Sequence, residues 1–330
     1  MKRLLQYIRT FSQSRICVIG DLTADIYIYG KPYRLSREAP VVVIRYDGEY
    51  LVPGGAANTV NNLLDLGAHV YPIGILGNDK PGTQLFCLLG AKCRYMDGVM
   101  LDPNYMTIMK TRILAGDDNT TKQQVLRVDR DHTQPISSDL QHHIVSYIEQ
   151  IQNDVDAFIV SDYGYGLFTK RILACLKKVS RNKLLIVDSR YHMREFKGAT
   201  IVTPNLAEAE YVTGITISDT QSLNRAGERL LKIVKSQAVL ITMGNKGMTL
   251  FEHDKKPLHI PVVGNDTISD VTGAGDTVVA LMALALSAGA TFSEAARLAN
   301  YAASIVVMKP GTATLTPEEL IQAITADLKG

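Results

Sequence analysis

Cysteine is scarce in this 330-residue chain, which contains only four. They lie at positions 17, 87, 93 and 175, without the spacing of a metal site, and Cys17 and Cys175 fall inside apolar segments. We therefore expect reduced core thiols in a cytoplasmic protein and no metal site built on cysteine.

Clusters of like charge are also absent. Lys and Arg total 35 against 33 Asp and Glu, the formal net charge is +2, and the two signs are interspersed. This balance predicts neither a nucleic-acid-binding nor a membrane-binding surface.

The first fourteen residues lack an apolar stretch of signal-peptide length, so they are predicted to form an amphipathic helix. The apolar run from Val278 to Ala288 is too short to span a bilayer and predicts a core helix.

The most informative segment runs from Asp270 to Asp276 and reads Asp-Val-Thr-Gly-Ala-Gly-Asp. An apolar stretch follows it, which predicts that Gly273, Ala274 and Gly275 lie where a turn becomes a buried helix. Small residues there let the backbone approach a ligand, and the first amides of a helix can donate to an anion. Asp276 would stand beside this phosphate cradle, placed to accept a proton from an attacking hydroxyl. A simple helix-start role explains the same spacing equally well.

A second glycine-rich segment, from Pro53 to Gly67, also indicates a tight turn that opens a helix, and it includes Gly54, Gly55 and Asn58. Together the two segments resemble the two signatures of the ribokinase-like (PfkB) carbohydrate kinase family. The resemblance extends over nearly the whole chain, from about residue 16 to about residue 320.

This resemblance implies an α/β fold, the ribokinase-like three-layer sandwich with a mostly parallel central sheet. It also implies a single domain, residues 1–330, with a small β lid formed from about 25–47 and 105–130. In such a fold ligands collect at the carboxyl ends of the parallel strands. Asp21, Asp162 and Asp188 all follow or end predicted strands, so the three are expected at one rim.

The resemblance makes Asp21, Asp25 and Asp188 candidates for contacts with the sugar, together with Gly54, Gly55 and Asn58 of the second glycine-rich segment. Without it, Asp21 and Asp25 would be interpreted as turn carboxylates. The stretch from Lys31 to Val43, interrupted by Pro32 and Pro40, is predicted to be a loop that returns into a strand.

Two alternating stretches, Thr107 to Leu114 and Gln123 to Asp129, predict a β-hairpin with Lys110, Arg112 and Arg127 on one face. Charges on a strand face usually serve solubility. As part of a lid over a sugar, however, three cations would suit a substrate that already carries a phosphate.

The segment Arg34 to Pro40, Arg-Leu-Ser-Arg-Glu-Ala-Pro, resembles the one that heptose 7-phosphate kinases carry at this point. Arg34 is therefore a further substrate-binding candidate, although a solvated loop would explain the segment too. Because the chain ends at Gly330, without room for the nucleotidyltransferase domain that many such kinases carry, we expect the stand-alone kinase form.

Asn205 and Glu208 are three residues apart at a predicted helix start, which fits a capping box. In the family this Asn-x-x-Glu motif organises the Mg²⁺ of Mg-ATP, usually through water, and oxygen ligands suit that ion. The resemblance also implies nucleotide contacts along the chain, at Thr242, Gly244, Gly247, Asn300 and Ala303. Asp270 and the turn 309–311 resemble a loop pair that can hold a monovalent cation such as K⁺.

The sequence therefore predicts a cytoplasmic, ATP-dependent sugar kinase acting on a heptose 7-phosphate in lipopolysaccharide precursor synthesis, as a homodimer through its lid. One alternative is a PfkB-type kinase for another sugar, sugar phosphate or nucleoside. A second is a dinucleotide-binding Rossmann protein. The first strand is not followed by Gly-x-Gly-x-x-Gly, which argues against this alternative. A third is a catalytically silent sugar sensor, which the intact Gly-Ala-Gly-Asp string makes less favourable.

Overall fold

The computed structural model describes residues 2–117, 122–133, 135–264 and 270–328. In these ranges the strands are β1 Arg15–Gly20, β2 Leu22–Leu35, β3 Val42–Gly55, β4 His69–Gly77, β5 Val99–Asp102, β6 Ile108–Ala115, β7 Gln123–Arg130, β8 Ala157–Asp162, β9 Leu184–Ser189, β10 Ile201–Val202, β11 Ala238–Thr242, β12 Met248–Glu252 and β13 Leu258–Ile260. The α-helices are α1 Lys2–Ile8, α2 Ala56–Asp65, α3 Lys80–Gly90, α4 Ser138–Ile151, α5 Lys170–Val179, α6 Leu206–Thr213, α7 Thr220–Val234, α8 Ala274–Ser287, α9 Phe292–Val306 and α10 Pro317–Asp327.

The larger sheet has nine strands in the order β13-β12-β11-β10-β9-β8-β1-β4-β5. All neighbours from β11 to β5 are parallel, and β12 and β13 add an antiparallel edge. Such a sheet must be covered on both faces, which explains its nearly continuous apolar strands.

Helices cover both faces of this sheet, and the alternation along β1 shows the division. Ile16 and Val18 belong to the core under α2, α8 and α9, whereas Cys17 and Ile19 belong to the core under α4, α5 and α7. Successive side chains of a strand point to opposite faces, so one strand contributes to both cores. The predicted three-layer α/β sandwich is confirmed.

The smaller sheet, β3-β2-β6-β7, is the predicted lid. One residue, Asp21, separates the end of β1 from the start of β2, so the lid begins at the carboxyl edge of the larger sheet. β6 and β7 pair antiparallel as the hairpin prediction required, while β6 runs parallel to β2. Part of the predicted hairpin turn, residues 118–121, lies outside the described residues.

Two details of the strand prediction were wrong. Residues 31–35, predicted as a loop, continue β2, and Pro32 is tolerated there because pairing with β6 ends at Gly30, so this end of β2 has one neighbour. The segment Pro53 to Gly55 is not a free turn. It is the paired end of β3 and leads directly into α2.

The amino-terminal segment is helical as predicted, and α1 buries Leu4, Tyr7 and Ile8. Three of the four cysteines are buried and all four are free, but Cys87 is exposed on α3, so the prediction of core thiols was wrong there. Across the ranges that the structure describes, no helix is long and apolar enough to cross a membrane.

Candidate active site

A cavity of about 380 Å³ lies between the lid and the carboxyl edge of the larger sheet. Its floor is the start of α8, where Gly273, Gly275 and Asp276 line it. The two glycine-rich segments therefore meet at one place, because α2, which follows Gly55, packs beside α8.

The Asp276 carboxylate is the best-fixed group of the floor. Its side chain is buried, and three neutral donors hold it: Nδ2 of Asn58 lies 2.9 Å from Oδ2, the hydroxyl of Tyr163 lies 2.8 Å from Oδ1, and Oγ1 of Thr59 lies 3.2 Å from Oδ1. Because no cation among the described residues forms an ion pair with it, its charge remains available for a reaction.

Burial raises the pKa of Asp276 to about 6, while the bonds from Asn58, Tyr163 and Thr59 lower it and the charge of Asp25 raises it. A carboxyl with this pKa is mostly ionised at neutral pH and is a stronger base than an exposed aspartate. The group can therefore accept a proton near neutral pH.

Gly273 explains why the turn before α8 requires glycine. It caps the helix with a φ of 82°, a left-handed conformation. A Cβ here would stand 2.5 Å from Nδ2 of Asn58, the group that holds Asp276. Over Gly275, in contrast, a Cβ would meet only Oδ2 of Asp188, at 4.0 Å. The backbone at Gly275 is thus open to the close approach of a ligand. The amide of Ala274 donates to the Val271 carbonyl at 3.3 Å, and Ala274 does not line the cavity among the described residues.

The lid side of the cavity carries Asp25 and all three predicted cations, Lys110, Arg112 and Arg127. Nη1 of Arg112 lies 2.9 Å from Oδ2 of Asp25, and both side chains are buried. Burial raises the pKa of Asp25, and Arg112 and Lys110 counteract this. Arg127 is more exposed and pairs with Asp129 through two contacts of 2.7 Å.

Several polar atoms beside Asp25 are buried without a hydrogen-bond partner among the described residues. They are Oδ1 of Asp25, Oγ1 of Thr23, the Tyr27 hydroxyl and Oγ1 of Thr312. Buried polar groups are rarely left unpaired, so their concentration here indicates a position for a ligand with several hydroxyls. Gly54 packs against this group, because a Cβ there would stand 2.4 Å from Oδ1 of Asp25.

Asp21 and Arg34 are not among the residues that line the cavity, and their roles as substrate contacts stay predictions. Oδ2 of Asp21 instead accepts the backbone amides of Tyr163 at 2.8 Å and Tyr165 at 3.3 Å, so it anchors the loop after β8. Burial, with the nearby charge of Asp162, raises its pKa to about 7. Arg34 lies exposed at the far end of β2, where it donates to the Leu35 carbonyl.

The wall opposite the lid carries Asp188, Asn205, Glu208 and Thr242. Asn205 and Glu208 form a complete capping box at the start of α6. Burial raises the pKa of Asp188 and of Glu208, and the charge of Glu208 raises that of Asp188 further. These carboxyls would be stabilised by a cation between them.

A protein-only metal cage is absent from the described part of the chain, where no three His, Cys, Asp or Glu side chains cluster closely enough to hold an ion. Mg²⁺ is usually bound by one or two carboxylates together with water and substrate phosphates. The pair of Asp188 and Glu208 fits that mode of binding.

The remaining predicted nucleotide residues lie outside this cavity. Gly244 and Gly247 have positive φ angles in the turn after β11, and a Cβ on Gly247 would stand 2.2 Å from the Ile260 carbonyl. Asn300 donates to the Pro261 carbonyl at 2.7 Å, and Ala303 packs against the core. A second cavity of about 890 Å³ lies beside them and is lined by residues including Met243, Lys246, His259 and Pro261.

The predicted loop pair around Asp270 is brought together. Oδ1 of Asp270 accepts the Thr272 amide at 2.9 Å, and Oδ2 accepts the Gly311 amide at 3.1 Å. The two loops therefore meet next to the start of α8.

Sequence reasoning missed Thr59, Tyr163, Arg190 and Thr312. Tyr163 lies one residue after Asp162, and Arg190 lies two residues after Asp188. Both aspartates were predicted at the rim, so examining the residues that follow them would have found Tyr163 and Arg190. Thr59 is adjacent to Asn58 on α2. Thr312 carried no recognisable signal, because its position depends on the loop packing against the lid.

The sequence is similar to those of known proteins over most of its length. The family profile described as pfkB family carbohydrate kinase matches residues 13–319. Bifunctional protein HldE of Geobacter metallireducens is 41% identical over 307 residues, which are 92% of this chain and 61% of that protein. HldE of Helicobacter hepaticus is 38% identical over 94% of this chain and 64% of its own length. The chain thus spans less than two thirds of the curated relatives it matches.

Solved structures share the fold at lower identity. Arabidopsis thaliana ribokinase complexed with ribose and ATP matches with a TM-score of 0.73 and 21% identity, covering 94% of this chain and 98% of that one. Phosphofructokinase-2 of Escherichia coli in complex with fructose-6-phosphate matches with a TM-score of 0.75 and 16% identity, covering 96% and 100%.

Proposed function

This chain belongs to the pfkB family of carbohydrate kinases, and from that premise we propose that it transfers the γ-phosphoryl group of ATP to a sugar hydroxyl. The observation that carries the proposal is the position of Asp276. Its carboxylate lies at the junction of an amide-lined helix start and a pocket with unpaired polar groups under a basic lid. A sugar hydroxyl and a nucleotide phosphate can both reach that point.

In the proposed mechanism Asp276 accepts the proton of the attacking hydroxyl. The sugar oxygen forms a bond to the γ-phosphorus while the bond from that phosphorus to the bridging oxygen breaks, and ADP departs. The amides of Gly273, Ala274 and Gly275 stabilise the charge on the phosphoryl group during transfer. Gly55 and Asn58 shape this pocket and fix the base.

Asn205 and Glu208, with Asp188, would hold Mg²⁺ through water, and the ion would supply positive charge that neutralises the nucleotide phosphates. Thr242, Gly244 and Gly247 would position the nucleotide, with Asn300 and Ala303 supporting its base from α9. Asp270 and the 309–311 turn would hold a monovalent cation. Activity assays with Mg²⁺ chelated, and with K⁺ replaced by a quaternary ammonium ion, test these two sites separately.

The substrate proposed is a phosphorylated sugar, most specifically a heptose 7-phosphate. Three cations face one cavity from the lid, one more than the two carboxylates that pair with them, Asp25 and Asp129, which suits a phosphate on the substrate. The HldE relatives support the heptose assignment, and Asp25 with its unpaired neighbours would bind the hydroxyls. Another sugar phosphate is the alternative, and ADP release over a panel of sugars and sugar phosphates decides between them.

Arg127→Gln tests the contact with the substrate's own phosphate. We expect the KM for the preferred sugar phosphate to rise by roughly 10-fold to 100-fold, as for loss of one charge-assisted contact, with the KM for ATP unchanged. Arg45→Gln is a matched control, because Arg45 also lies on the lid but stacks on Tyr33 outside the cavity. Equal effects of both variants would contradict the proposal.

We also propose a cytoplasmic homodimer that pairs through the lid. The lid face opposite Arg127 is apolar, and Leu126 and Val128 on edge strand β7 are 54% and 49% exposed. Light scattering should give twice the chain mass, and Leu126→Lys/Val128→Lys should halve it. Tyr211→Lys, at a residue on α6 that is 65% exposed, should leave the mass unchanged. A monomeric wild type would contradict the dimer.

A further inference from the structure

Resting on the proposed function, we infer that Tyr163 is a positioning residue for the base and that Oδ2 of Asp276 is the atom that receives the substrate proton. An ionised carboxylate offers about four acceptor directions. Two on Oδ1 are occupied, by the Tyr163 hydroxyl at 2.8 Å and Oγ1 of Thr59 at 3.2 Å. Asn58 occupies only one on Oδ2, at 2.9 Å. The open direction therefore belongs to Oδ2.

Tyr163 is itself held in place by contacts of its backbone and of its ring. Its backbone amide donates to Oδ2 of Asp21, and the next amide, of Gly164, donates to Oδ1 of Asp162 at 3.0 Å. Its ring lies near two cations, with Nζ of Lys110 at 5.0 Å and Cζ of Arg190 at 4.6 Å from the centroid. This explains why Asp21 is buried near the cavity without lining it: it anchors the loop that carries Tyr163.

Tyr163 is suited to remain a donor throughout the reaction. Burial raises its pKa well above the usual value, with the charges of Asp276 and Asp188 acting in the same direction, so its hydroxyl stays protonated. A donor that stays protonated cannot compete with the substrate for the proton. It holds Oδ1 in place while the substrate proton moves to Oδ2, the sugar oxygen bonds to phosphorus, and ADP leaves with the bridging oxygen.

The charge state of Asp276 depends on groups from four surrounding elements. Asn58 and Thr59 donate from α2 and Tyr163 from the loop after β8, while Asp25 on β2 and Asp188 on β9 contribute negative charge. Arg190, after β9, faces the Tyr163 ring and lowers the pKa of that hydroxyl. Removing the Tyr163 hydroxyl deletes one of three donors that favour the ionised carboxylate, so the pKa of Asp276 should rise.

Tyr163→Phe is the test, because it keeps the ring and its cation contacts and removes only the hydroxyl. We expect kcat to fall roughly 10-fold near pH 6, the acid limb of the kcat profile to move to higher pH, and the KM for ATP to remain the same. Tyr165→Phe is the matched control. The Tyr165 ring also contacts Lys110, but its hydroxyl is not a donor to Asp276 in the described structure, so its profile should match wild type.

A second readout is independent of turnover. The ¹³C shift of the Asp276 carboxyl, assigned with Asp276→Asn, should titrate at higher pH in Tyr163→Phe than in wild type and in Tyr165→Phe. An unchanged titration in Tyr163→Phe would overturn the inference even if the enzyme is a sugar kinase. If wild type phosphorylates no sugar, the proposed function fails, and the titration still tests whether Tyr163 sets the state of Asp276.

Discussion

Asp276→Asn is expected to lower kcat by roughly 10²-fold to 10⁴-fold, the usual contribution of a general base. The amide keeps the size of the side chain but cannot accept a proton from a sugar hydroxyl. Because the wild-type carboxyl is buried with a pKa raised to about 6, a neutral replacement should not destabilise the fold at pH 8. Steady-state kinetics measures kcat, and a thermal melt measures the stability of the fold. The KM for ATP should change little.

Asp188→Asn is the informative comparison for this variant. Asp188 is also a carboxyl that lines the cavity, and burial raises its pKa as well. If it served as the base, its variant would show the large loss of kcat. We expect its effect to be smaller than that of Asp276→Asn and to appear largely as a higher Mg²⁺ concentration needed for half-maximal activity. The reverse order would show that the base had been wrongly assigned.

Arg112→Met is expected to destabilise the fold by about 3–5 kcal/mol, the usual cost of removing one partner of a buried ion pair. Arg112 is 7% exposed and Asp25 is 3% exposed, so water cannot replace the lost partner. Denaturant unfolding at several pH values measures the free energy of unfolding.

The loss in Arg112→Met should grow as pH rises. Burial already raises the pKa of Asp25 and Arg112 opposes that shift, so without Arg112 the folded-state pKa rises further above the unfolded value of 3.8. The folded protein then binds a proton more tightly than the unfolded chain, and stability falls with increasing pH across that window. The double variant Asp25→Asn/Arg112→Met should recover most of the loss, and a purely additive result would contradict a direct pair.

The architecture was predictable because its signals are local. The apolar run of β1 and the glycine-rich segments at Gly54 and Gly273 indicate buried strands and helix starts without information from elsewhere in the chain. The lid hairpin followed in the same way from alternation and turn residues. The continuation of β2 through Pro32 was not predictable, since it depends on where its neighbour β6 ends.

The site was predictable only in part, because side-chain partners depend on the tertiary structure. Strand-end position indicated Asp21 correctly as a residue near the rim, but not that its carboxylate would accept two amides of the Tyr163 loop. The contact from Tyr163 to Asp276 joins residues 113 positions apart. A single sequence contains no pattern for such a contact, since three separate elements must first assemble around α8.

The most direct test of the central claim is a crystal structure with a non-hydrolysable ATP analogue and the preferred sugar phosphate. We expect the acceptor hydroxyl to lie within hydrogen-bond distance of Oδ2 of Asp276, with the terminal phosphate over the amides of residues 273–275. A hydroxyl bound instead to Asp188, or a terminal phosphate away from the start of α8, would contradict it.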